Sequence, residues 1–236
     1  MSIRDRIAAV RERMALAAER AGRRPSDILL VGVTKTRTVQ EIEEAAPFID
    51  AIGENRVQEA QEKKGVWKGT STPAWRLIGH LQNNKARRAL ELFNTVDSLD
   101  SIALAERLDR IAGEMGRTLP VLIEINTAQE VSKTGIAPEG FPALLDRALE
   151  LPRLRLEGLM TVGPLTEDEA VVRGAFAKLR GLAEEARARS GLPLPILSMG
   201  MSGDFEAAIL EGSTMVRVGT LLFGPRNYST SPEATE

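Results

Sequence analysis

Eight short apolar runs, each followed by a helix-like segment, constrain this chain more than any other feature. The runs lie at 28–34, 49–53, 75–79, 95–97, 120–126, 154–161, 194–199 and 214–223. The first, Ile-Leu-Leu-Val-Gly-Val-Thr, is apolar on both faces and rich in β-branched residues, the signature of a strand covered on both sides. Thr38 and Glu41 after it form a Thr-x-x-Glu capping box, so a helix follows. Eight strand–helix units joined by connections too short for a second domain predict a single α/β fold, the (β/α)₈ barrel. An open doubly wound sheet would commonly carry Gly-x-Gly-x-x-Gly after its first strand, and Val-Thr-Lys-Thr-Arg stands there instead.

An extra helix precedes the first strand. Ile3, Ile7, Val10, Met14, Ala17 and Ala21 fall on one face, and Gly22 and Pro25 end it. Further along, Asn55, Ser98 and Ser202 are each expected to cap the helix that follows them. The expected barrel spans 1–227, and the tail, 228–236, is polar and expected to be disordered.

Composition removes several chemistries. The chain has no cysteine, which excludes disulfides, thiolate metal sites and a cysteine nucleophile. A single histidine makes a His-based zinc site or a Ser-His-Asp triad improbable, and no metal is expected. The formal charge of −2 marks no nucleic-acid binder. No apolar run reaches membrane-spanning length, and the charged first 24 residues, with Asp5, Glu12 and Glu19, suit neither a signal nor a transit peptide. A cytoplasmic location is expected, with neither membrane nor nucleic acid as partner.

Lys35 ends the first strand, so rigid backbone presents it at the carboxyl lip of a parallel sheet, where α/β proteins collect ligands. A lysine there, partly buried and held as the neutral amine, can capture a carbonyl as an imine. The plainer alternative is a solvated strand-end lysine among 31 Lys and Arg residues. Barrels often bind phosphate after their last two strands. Here those strands end in Ser198-Met199-Gly200-Met201-Ser202-Gly203-Asp204 and Val216-Arg217-Val218-Gly219-Thr220. Glycines admit a phosphate close to backbone N–H groups, and the Ser202 and Thr220 hydroxyls can donate to it. Capping alone also explains Ser202, and tight packing also explains Gly219. Arg217 interrupts an apolar strand and needs an acceptor. A pyridine nitrogen would serve and would stay unprotonated, because arginine has no proton to give up. A structural salt bridge is the alternative.

Val-Thr-Lys-Thr, Gly-Glu-Asn-Arg-Val-Gln-Glu, Ile-Gly-His-Leu-Gln-Asn-Asn-Lys, Ser-Lys-Thr-Gly, Gly-Leu-Met-Thr, Leu-Ser-Met-Gly-Met-Ser and Val-Arg-Val-Gly-Thr-x-x-Phe-Gly occur here in order. In this the chain resembles the pyridoxal phosphate homeostasis proteins from Ile3 to about Arg226, a family similar to the N-terminal barrel of alanine racemase. The resemblance implies that Lys35 holds pyridoxal 5′-phosphate (PLP) as an internal aldimine and that Arg217 faces the ring nitrogen. It implies that Ser202, Gly219 and Thr220 hold the phosphate and that Asn55 lines the cofactor's side. Gly203 falls where the family is expected to vary. His80 reads as a capping or packing residue rather than a general acid, and Lys85 and Lys133 as loop lysines near the mouth.

Two functions fit that resemblance: a carrier that stores, buffers or delivers the cofactor, with apo PLP-enzymes as recipients, and an amino-acid racemase. Alanine racemase-like enzymes take a second acid/base, a tyrosine, from a further domain across a dimer interface. The only tyrosine here, Tyr228, lies in the tail, and Arg217 disfavours carbanion chemistry, so the carrier is expected, with no catalytic residue. A monomer is compatible with that reading. A lysine aldolase fits Lys35 and leaves Arg217 unexplained.

Overall fold

The computed structural model describes residues 1–69, 71, 73–130 and 133–225; the expected tail, with Tyr228, lies outside them. Eight parallel strands close into a barrel in sequence order: β1 (Leu29–Val33), β2 (Ala51–Glu54), β3 (Ala74–Leu77), β4 (Thr95–Leu99), β5 (Leu119–Glu124), β6 (Leu154–Met160), β7 (Ile196–Ser198) and β8 (Met215–Val218). The ring shuts where β8 pairs with β1, Met215 opposite Leu29 and Arg217 opposite Val31. The expected (β/α)₈ barrel is the observed one.

The helices are α1 (Ile3–Arg20), α2 (Val39–Ala45), α3 (Val57–Val66), α4 (Ala86–Leu92), α5 (Ile102–Glu114), α6 (Phe141–Glu150), α7 (Glu169–Ser190), α8 (Phe205–Leu210) and α9 (Thr220–Phe223). α1 is the extra N-terminal helix. It buries Ile3, Ile7, Val10 and Met14 and packs along α8 and α9, with Arg13 forked onto Glu206 at 2.9 and 2.7 Å. Among the described residues, no helix is long and apolar enough to cross a membrane.

Strand alternation sorts the core into two layers. Leu30, Ile52, Leu77, Val96, Val121 and Leu197 face outward and join the apolar layer under the helices. Val31, Ala51, Leu122, Met160 and Met215 face inward and form a separate small cluster inside the barrel. The same inward parity carries Arg76, Asp97, Glu124, Ser198 and Arg217, all buried. The barrel is thus stuffed with charge as well as apolar side chains. Arg76 forks onto Asp97 at 2.7 and 2.9 Å, pairing two charges that could not be buried alone.

Several expected boundaries move, each for a local reason. Leu29 faces inward at the amino-terminal rim and is 39% exposed, so the first strand is not covered on both faces at that end. Ser98 caps nothing: β4 runs on to Leu99, which pairs with Ile123, and Ser98 Oγ donates to the Gly79 carbonyl at 2.7 Å. Ser101 takes the cap, accepting from Leu104 N. α3 begins after Arg56, which gives it no side-chain cap, so Asn55 is not the N-cap. α8 begins after Asp204, not Ser202. The last apolar run is strand only to Val218; Gly219 turns it into α9, which buries Leu222 and Phe223 in the outer layer.

The capping box is present. Thr38 Oγ1 accepts from Glu41 N at 3.3 Å, and Glu41 Oε2 accepts from Thr38 N at 2.8 Å. Thr38→Ala removes one half of that exchange, and we expect a loss of about 1 kcal/mol in urea unfolding. An unchanged midpoint would show that the packing of α2 alone sets its start.

Candidate functional site

The carboxyl ends of the strands meet in one mouth, and the Lys35 turn forms its β1 side. Arg37 N donates to the Thr34 carbonyl at 3.0 Å, placing Lys35 and Thr36 at the two corners of a tight turn. Thr36 has φ +65°, a left-handed conformation that a β-branched residue rarely adopts. Lys35 itself is partly buried. Arg37, which sequence reading passed over, is buried and donates to the carbonyls of Phe223, Gly224 and Pro225 at 3.2, 2.5 and 3.2 Å. That fork ties the turn to the end of α9. Nothing in Thr-Lys-Thr-Arg reveals that role.

Arg217 lies one strand away, buried in the mouth. It donates to Ser198 Oγ at 2.5 Å and to the Thr161 carbonyl at 2.8 Å, and it makes no ion pair among the described residues. The salt-bridge alternative is therefore not what is seen. Burial pushes the guanidinium below its ordinary value, and Glu124, Asp97 and Asp204 pull it back. Its backbone N also bonds the Gly200 carbonyl at 2.9 Å, which holds the β7 loop against β8. Gly200 has φ +97°, and a Cβ there would lie 2.6 Å from Ala208 Cβ, so this bend needs glycine.

The loop beyond carries Ser202, half-buried, and Gly203, with open space about its Cα. Asp204 closes the loop, its Oδ1 accepting from Met201 N at 2.5 Å. Gly219 is half-buried and Thr220 exposed at the start of α9. A Cβ on Gly219 would sit 3.3 Å from the Val33 carbonyl oxygen, so close packing against β1 accounts for that glycine. Ser202, Gly219 and Thr220 thus come from two adjacent strand ends, with Arg217 below them. Both α8 and α9 are too short for their dipoles to add much.

The remaining polar groups lie elsewhere around the mouth. Asn55 sits just past β2 with a buried Oδ1 that has no hydrogen-bond partner among the described residues. Its backbone oxygen lies 2.4 Å from where a Gly79 Cβ would be, which is why Ile-Gly-His follows β3. Among the described residues His80 caps no helix: it is half exposed, with Nδ1 2.8 Å from Asp100 Oδ2. Lys85 lines a cavity of about 380 Å³ together with Asn55, Arg56, Gln58, His80 and Gln82. Lys133 is more than a loop lysine; its Nζ donates to the Gly163 carbonyl at 2.6 Å and to Glu130 at 3.0 Å, joining two loops.

Glu124, at the end of β5 across the barrel from β1, was not singled out in the sequence. It is 2% exposed, accepts from Thr134 Oγ1 at 2.6 Å through Oε1, and leaves Oε2 without a partner among the described residues. Burial raises its pKa above the usual carboxylate range, against the Thr134 hydrogen bond and the attraction of Arg217. A carboxyl raised on folding binds its proton more tightly in the folded chain. Its stability contribution is full below the ordinary value of 4.5 and is lost as pH rises through the folded value. Glu124→Gln cannot ionise, so the variant should gain on the parent in melting temperature as pH rises above 4.5. A constant difference above that value would show that the carboxyl does not titrate there.

The sequence matches the family described as "Alanine racemase, N-terminal domain" over residues 6–227. It is 41% identical over 229 residues to the pyridoxal phosphate homeostasis protein of Aquifex aeolicus, covering 97% of this chain and 100% of that one. The solved structure of PipY from Synechococcus elongatus with PLP bound superposes with a TM-score of 0.83 at 38% identity, covering 94% of this chain and 100% of that one. An alanine racemase of Clostridium difficile shares the fold, with a TM-score of 0.73 at 18% identity over 95% of this chain and 58% of its own.

Proposed function

The chain belongs to the pyridoxal phosphate homeostasis protein family, on the barrel of the alanine racemase N-terminal domain, and from that premise we propose that it binds PLP in the barrel mouth. Its role is to store, buffer or deliver the cofactor in the cytoplasm, as a monomer, with apo PLP-enzymes as recipients and without robust turnover of its own.

When bound, PLP supplies an aldehyde that an amine can capture as an imine and a ring nitrogen whose protonation sets its electron demand. Lys35 supplies the amine from the β1 turn. Arg217 presents a planar cation that cannot donate its proton away, so a ring nitrogen beside it stays an acceptor. Ser202, Gly219 and Thr220 offer hydroxyl and backbone donors to a phosphate, with the open space at Gly203 beside them. Asn55 brings a buried oxygen that lacks a donor among the described residues. The residues present therefore fit the group. The observation that carries the reading is the shared rim: Lys35 follows β1, Arg217 sits on β8, and the two strands are paired at Val31 and Arg217.

To test it, the protein is incubated with PLP, reduced with borohydride and digested. The label is expected on the peptide containing Lys35. A label elsewhere, or none, sinks the assignment. Rapid interconversion of D- and L-alanine by the loaded protein would overturn the carrier role in favour of a racemase.

A further inference from the structure

Behind the Lys35 turn lies a buried cluster that binding of the cofactor does not use directly. Lys63, on α3 and 6% exposed, spends all three of its N–H donors: on the Thr34 carbonyl at 2.6 Å, Glu54 Oε1 at 2.5 Å and Glu59 Oε1 at 2.7 Å. Glu54, fully buried at the end of β2, also accepts from Thr34 Oγ1. Glu59 accepts from Thr36 N at 2.5 Å. The cluster's side chains thus reach Thr34 and Thr36, the two neighbours of Lys35.

We infer that Glu54, Glu59 and Lys63 are positioning residues for Lys35, gripping the residues on either side of it so that the turn holds its strained shape and aims the amine into the mouth. The inference rests on the reading of Lys35 given above.

Two observations set this apart from ordinary packing. Val57, Ala60 and Lys63 are the buried residues of α3, so a lysine occupies the inward stripe where a leucine would pack. A buried ion cluster is weak evidence for stability, since apolar side chains of the same volume commonly do as well. Thr36, meanwhile, keeps its left-handed φ of +65° without being glycine. Such a conformation persists only where the surroundings over-determine it, and here its N–H is held by Glu59 and the Thr34 carbonyl, at the start of the turn, by Lys63.

The experiment uses the full chain with Glu59→Gln, Lys63→Met and Lys63→Arg. Leu108→Ala on α5 serves as a control for lost stability away from the turn. Three quantities are read: release of PLP from its imine, followed by visible absorbance; binding of pyridoxamine phosphate, which has no aldehyde; and amide exchange at Thr36 in the unloaded protein. Glu59→Gln and Lys63→Met are expected to speed imine loss about tenfold, the change one charge-assisted hydrogen bond carries. Pyridoxamine phosphate binding should hold in both, Thr36 exchange should quicken, Lys63→Arg should restore part of the imine lifetime, and Leu108→Ala should move none of the three. Imine lifetime and Thr36 exchange matching the parent in folded Glu59→Gln would overturn the inference. Glu59 is partly exposed, so that variant serves even if Lys63→Met does not fold. Should the parent form no imine at all, the reading of Lys35 has failed, and the Thr36 amide alone then decides whether the cluster holds the turn.

Discussion

Lys35→Ala is expected to abolish the visible absorbance that develops when the protein meets PLP, and to weaken binding by about a hundredfold or more, about 2.7 kcal/mol. In the proposed reading the imine forms when the Lys35 amine adds to the aldehyde and water leaves, so alanine removes the bond itself. The proposed phosphate and ring contacts are left in place. Pyridoxamine phosphate should therefore bind the variant within about threefold of the parent, because it never used the bond. Lys35→Arg should behave like alanine in absorbance, since a guanidinium has no neutral amine to offer. Persisting absorbance in either variant would move the imine to another lysine. Lys133, already committed to Gly163 and Glu130, would then be the first to examine.

That expectation came from a strand-end lysine visible in the sequence, and so did the barrel that carries it. Alternating strand and helix patterns are properties of the local chain, and β1 through β8 fall within a few residues of the apolar runs. The caps were less legible. A serine or asparagine after an apolar run can cap a helix or extend a strand, and the neighbouring ladder decides: Ser98 stays in β4 because Leu99 still finds Ile123. Buried charge was hidden for the same reason. Lys63 in Val-Gln-Glu-Ala-Gln-Glu-Lys reads as solvated surface until α3 is docked with residues 57, 60 and 63 inward. Arg37 and Glu124 needed the closed ring. Arg37 meets Phe223, Gly224 and Pro225 only because β8 returns beside β1, and Glu124 confronts Arg217 only across a barrel interior. Arg217 stood out because it breaks a run of apolar residues, a local anomaly that asked for a partner. The partners found, Ser198 and Thr161, are neutral.

Arg217→Met should be the most disruptive single change in the mouth. It strands the Ser198 hydroxyl and the Thr161 carbonyl and takes a buried cation away from Glu124, Asp97 and Asp204. We expect a loss of about 3 kcal/mol. In a chain of this length that corresponds to a fall of about 10 °C in melting temperature. Arg217→Lys keeps the charge and loses the planar fork, so it should recover only part. Pairing Arg217→Met with Glu124→Gln separates charge from hydrogen bonding. Burial is the main cause of the raised pKa of Glu124, and Arg217 opposes it, so removing the arginine raises that carboxyl further. At low pH Glu124 is neutral in both backgrounds and the two losses should add. Above its folded pKa the carboxylate and guanidinium attract, so Arg217→Met should cost about 1 kcal/mol less when Glu124 is already Gln. A coupling that stays near zero at every pH would mean that Arg217 acts through Ser198 and Thr161 alone. Its charge would then be left for a ring nitrogen, and pyridoxamine phosphate binding to Arg217→Lys would show whether that is where the charge acts.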